Sequence, residues 1–152
     1  MLDTQDSLSN FCGDQLQLIK NVTDTIEESS HLVILMHKLV WMIDGGAQEV
    51  LVDSVCNGGL GSCFYCNNPN NFVADVYPRL VNLRNNGIGV LCIGGDIGLK
   101  VQKYEHTTPE GIRYVATGLC SGCAVNYGLQ FRWIRANESL TYKYVLLSEL
   151  AN

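Results

Sequence analysis

No run of lysine or arginine occurs in this chain of 152 residues, which carries 10 basic and 15 acidic side chains and a formal net charge of −5. Phosphate backbones are held by clustered cations, so nucleic acid is not an expected partner. No apolar stretch reaches the length of a membrane span. Residues 32–43 fall short of the roughly 20 residues a bilayer crossing needs, and His37 and Lys38 interrupt them. A membrane is therefore not an expected partner either. The opening MLDTQDSLSN is polar and acidic, without the apolar core of a secretory signal, so the cytoplasm is the expected compartment. Internal repeats and low-complexity tracts are missing. So are G-x-S-x-G, the P-loop, and a G-x-G-x-x-G that opens a helix; NGGLGS has the glycines but no strand ahead of it. Nucleophile-elbow and phosphate-cradle chemistry thus have no template here, no Cys–His pairing is indicated, and the catalytic residues stay unassigned.

An even cysteine count is also lacking. The seven cysteines stand at 12, 56, 63, 66, 92, 120 and 123. Their odd number argues against a secreted disulfide framework, and mostly free, buried thiols in a reducing compartment are expected. Four of them form two C-x-x-C pairs, Cys63-Phe-Tyr-Cys66 and Cys120-Ser-Gly-Cys123. Two such pairs can close a tetrahedral zinc site, here Cys63, Cys66, Cys120 and Cys123. A disulfide or a redox couple is the alternative, although neither pair opens a helix after a strand in the thioredoxin manner.

What the chain does hold is a hydrophobic fraction of 47% and 15 glycines, the composition of one globular domain with many tight turns. SNFCGDQLQLIKNVTDTIEESS (9–30) reads as an amphipathic helix. Leu16, Ile19, Val22 and Ile26 recur at spacings of three and four, and Asp14 meets the positive helix end. A buried strand follows and ends near His37. Residues 44–70, rich in glycine, asparagine and cysteine, read as a long loop insertion with one short helical turn at 47–55. VYPRLVNLRNNG reads as a helix with Pro78 in its first turn and Gly87 as its C-terminal cap. IGVLCIGG (88–95) is a second buried strand, giving strand–helix–strand and a parallel crossover. The period then drops to two. LKVQKYEH and GIRYVATG flank TTPEG, and LQFRWIRA and LTYKYVLL flank NES, which reads as two hairpins. The fold class is mixed α/β: a parallel strand–helix–strand unit followed by antiparallel hairpins.

His37 and Asp96 each follow one of the two buried strands. If those strands are neighbours in a parallel sheet, both side chains leave at one edge, where α/β proteins place their chemistry. An imidazole and a carboxylate suit a divalent metal. The competing reading of His37 is a core histidine with a backbone partner. His31 begins its strand and should lie at the opposite edge, and His106 is expected in a solvated hairpin turn. Asp44 and Asp53 are further carboxylate candidates in the long loop.

The order of these segments resembles the C-terminal half of calcineurin-like metallophosphoesterases. MLDT is similar to their midway strand ending in Leu-Asp-Thr, and GDQLQLIKNVTDTIEE to the helix after it. LVILMHKLVW resembles their strand ending in Met-His, whose histidine binds metal. VYPRLVNLRNNGIGVLCIGGDIG is similar to the helix and strand that lead into a Gly-His-x-His ligand motif, and GIRYVATG to the strand beyond it. The resemblance spans nearly the whole chain, and residues 44–70 fit it least. It implies half of a β-sandwich flanked by helices, divalent metal ions (manganese, iron or zinc), phosphate ester substrates, and metal ligation by His37 and Asp96. Two departures matter. Gly-His-x-His is here Gly95-Asp96-Ile97-Gly98, and Gly98 has no ligand atom. The family's Asp-x-His, Gly-Asp-x-x-Asp and Gly-Asn-His-Asp/Glu motifs do not precede residue 37.

Hydrolysis in that family depends on two metals that clamp the phosphate and activate a bridging water. The expectation is therefore a phosphoesterase fragment, 1–152 being one partial domain, inactive until a companion chain or missing segment supplies the other ligands. A non-catalytic binding module on the same scaffold, and a zinc-stabilised C-x-x-C domain, are the alternatives. A half-domain would leave a sheet face or edge bare, which favours a homo-oligomer or a partner chain.

Overall fold

The computed structural model describes residues 2, 10–42, 48–57 and 70–150. Cys63, Cys66, Asp44 and most of MLDT and of the 44–70 loop lie outside the described residues. Helix α1 spans Gly13–Thr25 and buries Ile19 and Thr23, with Leu16 and Ile26 packed on the same core. This is the face set by the three-and-four spacing. The buried Thr23 hydroxyl donates to the Ile19 carbonyl at 2.8 Å, so the polar atom is satisfied within its own helix. The helix starts later than the pattern suggests because Phe11 is drawn into the core. There its amide donates to Asn71 Oδ1 at 2.8 Å, and its carbonyl accepts from Asn71 Nδ2 at 2.9 Å.

Strand β1 (His31–Leu35) pairs in parallel with β2 (Gly89–Gly94), with His31 opposite Gly89 and Leu35 opposite Ile93. Between them run a 3₁₀ turn at Val40–Met42, another at Glu49–Leu51, the short helix α2 (Val52–Val55), and a π-helical turn at Phe72–Val76. The π turn leads straight into α3 (Tyr77–Asn85). It closes with the Tyr77 amide on the Phe72 carbonyl, directly ahead of Pro78, which has no N–H to offer. Gly87 ends α3 at a φ of 86° with its amide on the Arg84 carbonyl at 3.0 Å, the cap read from the sequence.

The two expected hairpins form. Strands β3 (Lys103–Thr107) and β4 (Arg113–Thr117) pair antiparallel, as do β5 (Tyr127–Ile134) and β6 (Ser139–Leu146). They are used differently. β4 also pairs in parallel with β2, Cys92 opposite Tyr114, so the first sheet has the order β1-β2-β4-β3. The β5–β6 ribbon is a separate sheet. Its Leu129, Leu140 and Tyr142 close over Leu91, Ile93 and Val115, so the first sheet has helices and turns on one face and the ribbon on the other. Tyr144 donates its hydroxyl to the Tyr104 carbonyl at 2.6 Å, Tyr142 to Glu105, and the Thr117 hydroxyl to the Tyr127 carbonyl. Burial, then the Glu105 carboxylate, push the Tyr142 phenol up to about 12, so it remains a donor at neutral pH.

One expectation about β1 is corrected. It is not buried on both faces: Ile34 and Met36 join the helix-side core, whereas Val33 and Leu35 stay 39% and 41% exposed. The reason is the position of the ribbon, which packs over β2 and β4 and meets β1 at its start, where Trp133 lies against His31.

Candidate functional site

β1 and β2 are parallel neighbours, so the residues after them leave at the same rim of the sheet. The His37 carbonyl accepts the amides of Gly95 at 2.8 Å and Asp96 at 2.9 Å, which ties the two exits together. The His37 side chain is exposed and Asp96 is half-buried. Asn57 braces the rim from below: its Nδ2 donates to Asp96 Oδ1 at 3.2 Å, its amide to the Asp96 carbonyl at 3.3 Å, and its Oδ1 accepts the Leu99 amide at 3.0 Å. Lys100 adds a bond to the Asp53 carbonyl at 2.7 Å. Gly118 is required here, because a Cβ on it would stand 1.7 Å from the Ile97 carbonyl oxygen. The Gly95–Gly98 turn therefore lies flat against the end of β4.

The rim brings together two of the residues picked from sequence, His37 and Asp96. It does not gather the rest. Asp53 sits on the exposed side of α2, and His31 lies at the far end of β1 with its ring edge-on to Trp133 at 5.7 Å. Among the described residues, no three histidine, cysteine or acidic side chains form a group able to hold a metal ion. A dinuclear centre needs more donors than His37 and Asp96, and one Asp96 oxygen already accepts the Asn57 amide. The described residues therefore do not fit that centre by themselves. Cys120 and Cys123 are joined in a disulfide rather than left as free thiols. In that state they offer no thiolate to a metal. Cys92 is buried, Cys12 is exposed, and the buried Cys56 thiol donates to Met42 Sδ at 3.6 Å.

A second site was not legible in the sequence. On the helix side of the sheet, near β3 and β4, lies a cavity of about 330 Å³ lined by Trp41, Gln48, Phe72, Val73, Tyr77, His106, Thr108, Pro109 and Tyr114. The π turn supplies Phe72 and Val73, and α3 supplies Tyr77. A widened turn at such a place is a recurrent feature of functional sites. The indole of Trp41 stacks on the Tyr114 ring at 4.8 Å and 6°, His106 lies 6.2 Å from the same ring at 25°, and Phe72 meets it edge-on at 6.2 Å.

His106 is thus not in a solvated turn. It belongs to β3, is half-buried and forms part of the cavity wall. Position 106 pairs with Tyr114 in the β3–β4 register, which turns the imidazole onto that aromatic face. The Gln48 amide nitrogen stands 3.3 Å from Nε2 and 3.4 Å from Nδ1 of His106, while its oxygen accepts the Tyr104 hydroxyl. The polar atoms around the cavity are thus largely paired with one another. The exception is Trp41: its Nε1–H is buried and, among the described residues, has no hydrogen-bond partner. An orphan buried donor carries a cost of about 1–3 kcal/mol. The sequence signal for this site was only a scatter of aromatics over 41–114; nothing in their spacing said that they converge.

A scan of protein-family models, a search of curated proteins and a search of solved structures each found no match to this chain.

Proposed function

We propose that this chain is a non-catalytic binding module built on a mixed α/β scaffold, with the aromatic cavity as its ligand site. One observation carries the reading: the cavity of about 330 Å³ has five aromatic rings in its wall. Concave, mostly apolar pockets with a few convergent polar groups are the usual form of small-ligand sites. Its volume lies at the lower end of the roughly 300–1,000 Å³ range of such sites. Thermal-shift screening of a fragment library tests this reading. Hits that lose their effect in Val73→Trp, which fills the cavity mouth, are the expected outcome; hits indifferent to that change would sink it.

A second reading is favoured by the His37 carbonyl and the Gly95 and Asp96 amides that join the two strand exits. Here the chain is one half of a metal-dependent phosphoesterase, with His37 and Asp96 as part of its ligand set and the remaining donors supplied by a companion chain or segment. It hydrolyses phosphate esters only when completed. Calorimetry with manganese separates the readings. Saturable binding that His37→Ala and Asp96→Ala each abolish supports the phosphoesterase half, and no binding supports the module.

A further inference from the structure

We infer that the Cys120–Cys123 disulfide is a reversible redox couple, opened by a dithiol that attacks at Cys123 and reclosed by the dithiol's oxidised form. The couple is separate from the aromatic cavity. Consider first what the bond holds. The two cysteines are three positions apart, with Cα atoms at 5.3 Å, in the connection between β4 and β5. A cross-link stabilises chiefly through the length of loop it closes, and this one closes a single turn. The turn is also shaped without it. Asn126 takes both backbone groups of Cys120: its Oδ1 accepts the Cys120 amide at 2.8 Å, and its Nδ2 donates to the Cys120 carbonyl at 3.3 Å. The Cys123 amide donates to that same carbonyl at 3.3 Å. Gly122 makes the left-handed bend at a φ of 82°, a conformation open to glycine. As a staple the disulfide is therefore largely redundant. Nor do the seven cysteines make the even set of a stapled framework.

Access and return favour exchange as well. Ser121 and Gly122 are exposed, and a Cβ on Gly122 would meet nothing within 4 Å, so the tip of the turn is open. Cys120 is buried, whereas Cys123 is half-buried. Exchange proceeds at the sulfur that a thiolate can reach, here that of Cys123. Once reduced, the two thiols stay in one turn fixed by the Asn126 bonds. Their effective concentration for one another is then high, which makes reclosure fast. The reduced Cys123 thiol also has an acceptor at hand: its Sγ lies 3.9 Å from the Gly98 carbonyl oxygen, on the rim that carries Asp96.

The exchange balances in two steps. One thiolate of the dithiol attacks Cys123 Sγ. The Cys120–Cys123 bond breaks, and its electron pair leaves on Cys120 Sγ, which takes a proton. The second thiol of the dithiol, deprotonated, then attacks the dithiol's own sulfur in the mixed disulfide. Cys123 leaves as a thiolate and is protonated in turn. The dithiol is oxidised to a disulfide by two electrons, and Cys120 and Cys123 are reduced to thiols.

The test equilibrates the intact chain, without denaturant, in mixtures of dihydrolipoate and its cyclic disulfide lipoate. Acid quenching, alkylation and peptide mass spectrometry read the state of the Cys120–Cys123 peptide. A separate native pulse of iodoacetamide that spares the buried Cys92 shows that the fold persists. The pair is expected to pass from fully oxidised to fully reduced, and back, along one curve while Cys92 stays protected. A pair that stays closed in dihydrolipoate until Cys92 also becomes labelled is a structural staple and overturns the proposal. So does a pair that, once reduced, does not reclose in lipoate. Single variants assign the attacked sulfur, and both keep the Asn126 bonds, which run to backbone. Glutathione disulfide is expected to modify Cys123 in Cys120→Ser several-fold faster than Cys120 in Cys123→Ser. Equal or reversed rates would overturn Cys123 as the point of attack.

Discussion

His37 shows how a single residue can be held by its backbone while its side chain remains available. Its carbonyl is taken by the Gly95 and Asp96 amides, and its ring stays in solvent. Asp96 is the opposite case, with one oxygen committed to Asn57. Removing that brace by Asn57→Ala is expected to cost about 1–2 kcal/mol, since it deletes a side-chain bond to Asp96 and another to the Leu99 amide; chemical denaturation measures it. The buried thiol of Cys92 is pushed well above its ordinary range by loss of solvent. A thiol that does not ionise is inert. Iodoacetamide at pH 8 should therefore leave Cys92 unmodified in the native chain and label it once the chain is unfolded in urea, as peptide mass spectrometry would show. His31 supplies the pH-dependent term. Desolvation first, then the nearby Arg113 and Arg84 charges, lower its folded pKa below the ordinary 6.5. The unfolded chain therefore binds the proton more readily than the folded one. This contribution is fully present above about pH 6.5 and is lost as pH falls below that value. Thermal melts from pH 7.5 to 5.5 should show a decline that His31→Gln flattens.

At the scale of elements, the locally coded features are those the sequence displayed. The apolar face of α1, the Gly87 cap of α3 and the turns of both hairpins arise from contacts within a few residues, and each formed where its pattern stood. The π turn at Phe72–Val76 had no such signal. It follows from the demand that Phe72 and Val76 both be buried just ahead of a proline. The junction of the β2 exit with the end of β4 is equally tertiary. There the cost of change is steric: Gly118→Ala would drive a methyl group into the Ile97 carbonyl. A loss of at least about 2 kcal/mol, within the overpacking range, is expected in the urea midpoint, and no change of buffer should rescue it.

For the whole molecule, the outstanding feature is an uneven cover. The β5–β6 ribbon shields β2 and β4 but leaves Val33 and Leu35 partly bare, and by strand alternation Phe131 and Trp133 follow Leu129 on the ribbon's inner face and remain 40% and 46% exposed. Open apolar surface of this kind promotes association. Sedimentation velocity is expected to show self-association that weakens at least several-fold in the Val33→Ser, Phe131→Ser double variant; a monodisperse monomer at high concentration would count against it. The sequence by itself determined the class of the fold, because the periods of 3.6 and 2 and the glycine and proline punctuation act over a few residues. It also determined that His37 and Asp96 each follow a strand. Only the tertiary structure decided that β4 slots beside β2, that the second hairpin becomes a lid on one face, and that His106 turns away from solvent to join Trp41, Phe72, Tyr77 and Tyr114 around a cavity. Those outcomes depend on which surfaces meet across dozens of residues, and hydrophobic burial, having no direction of its own, leaves no record of that choice in local spacing.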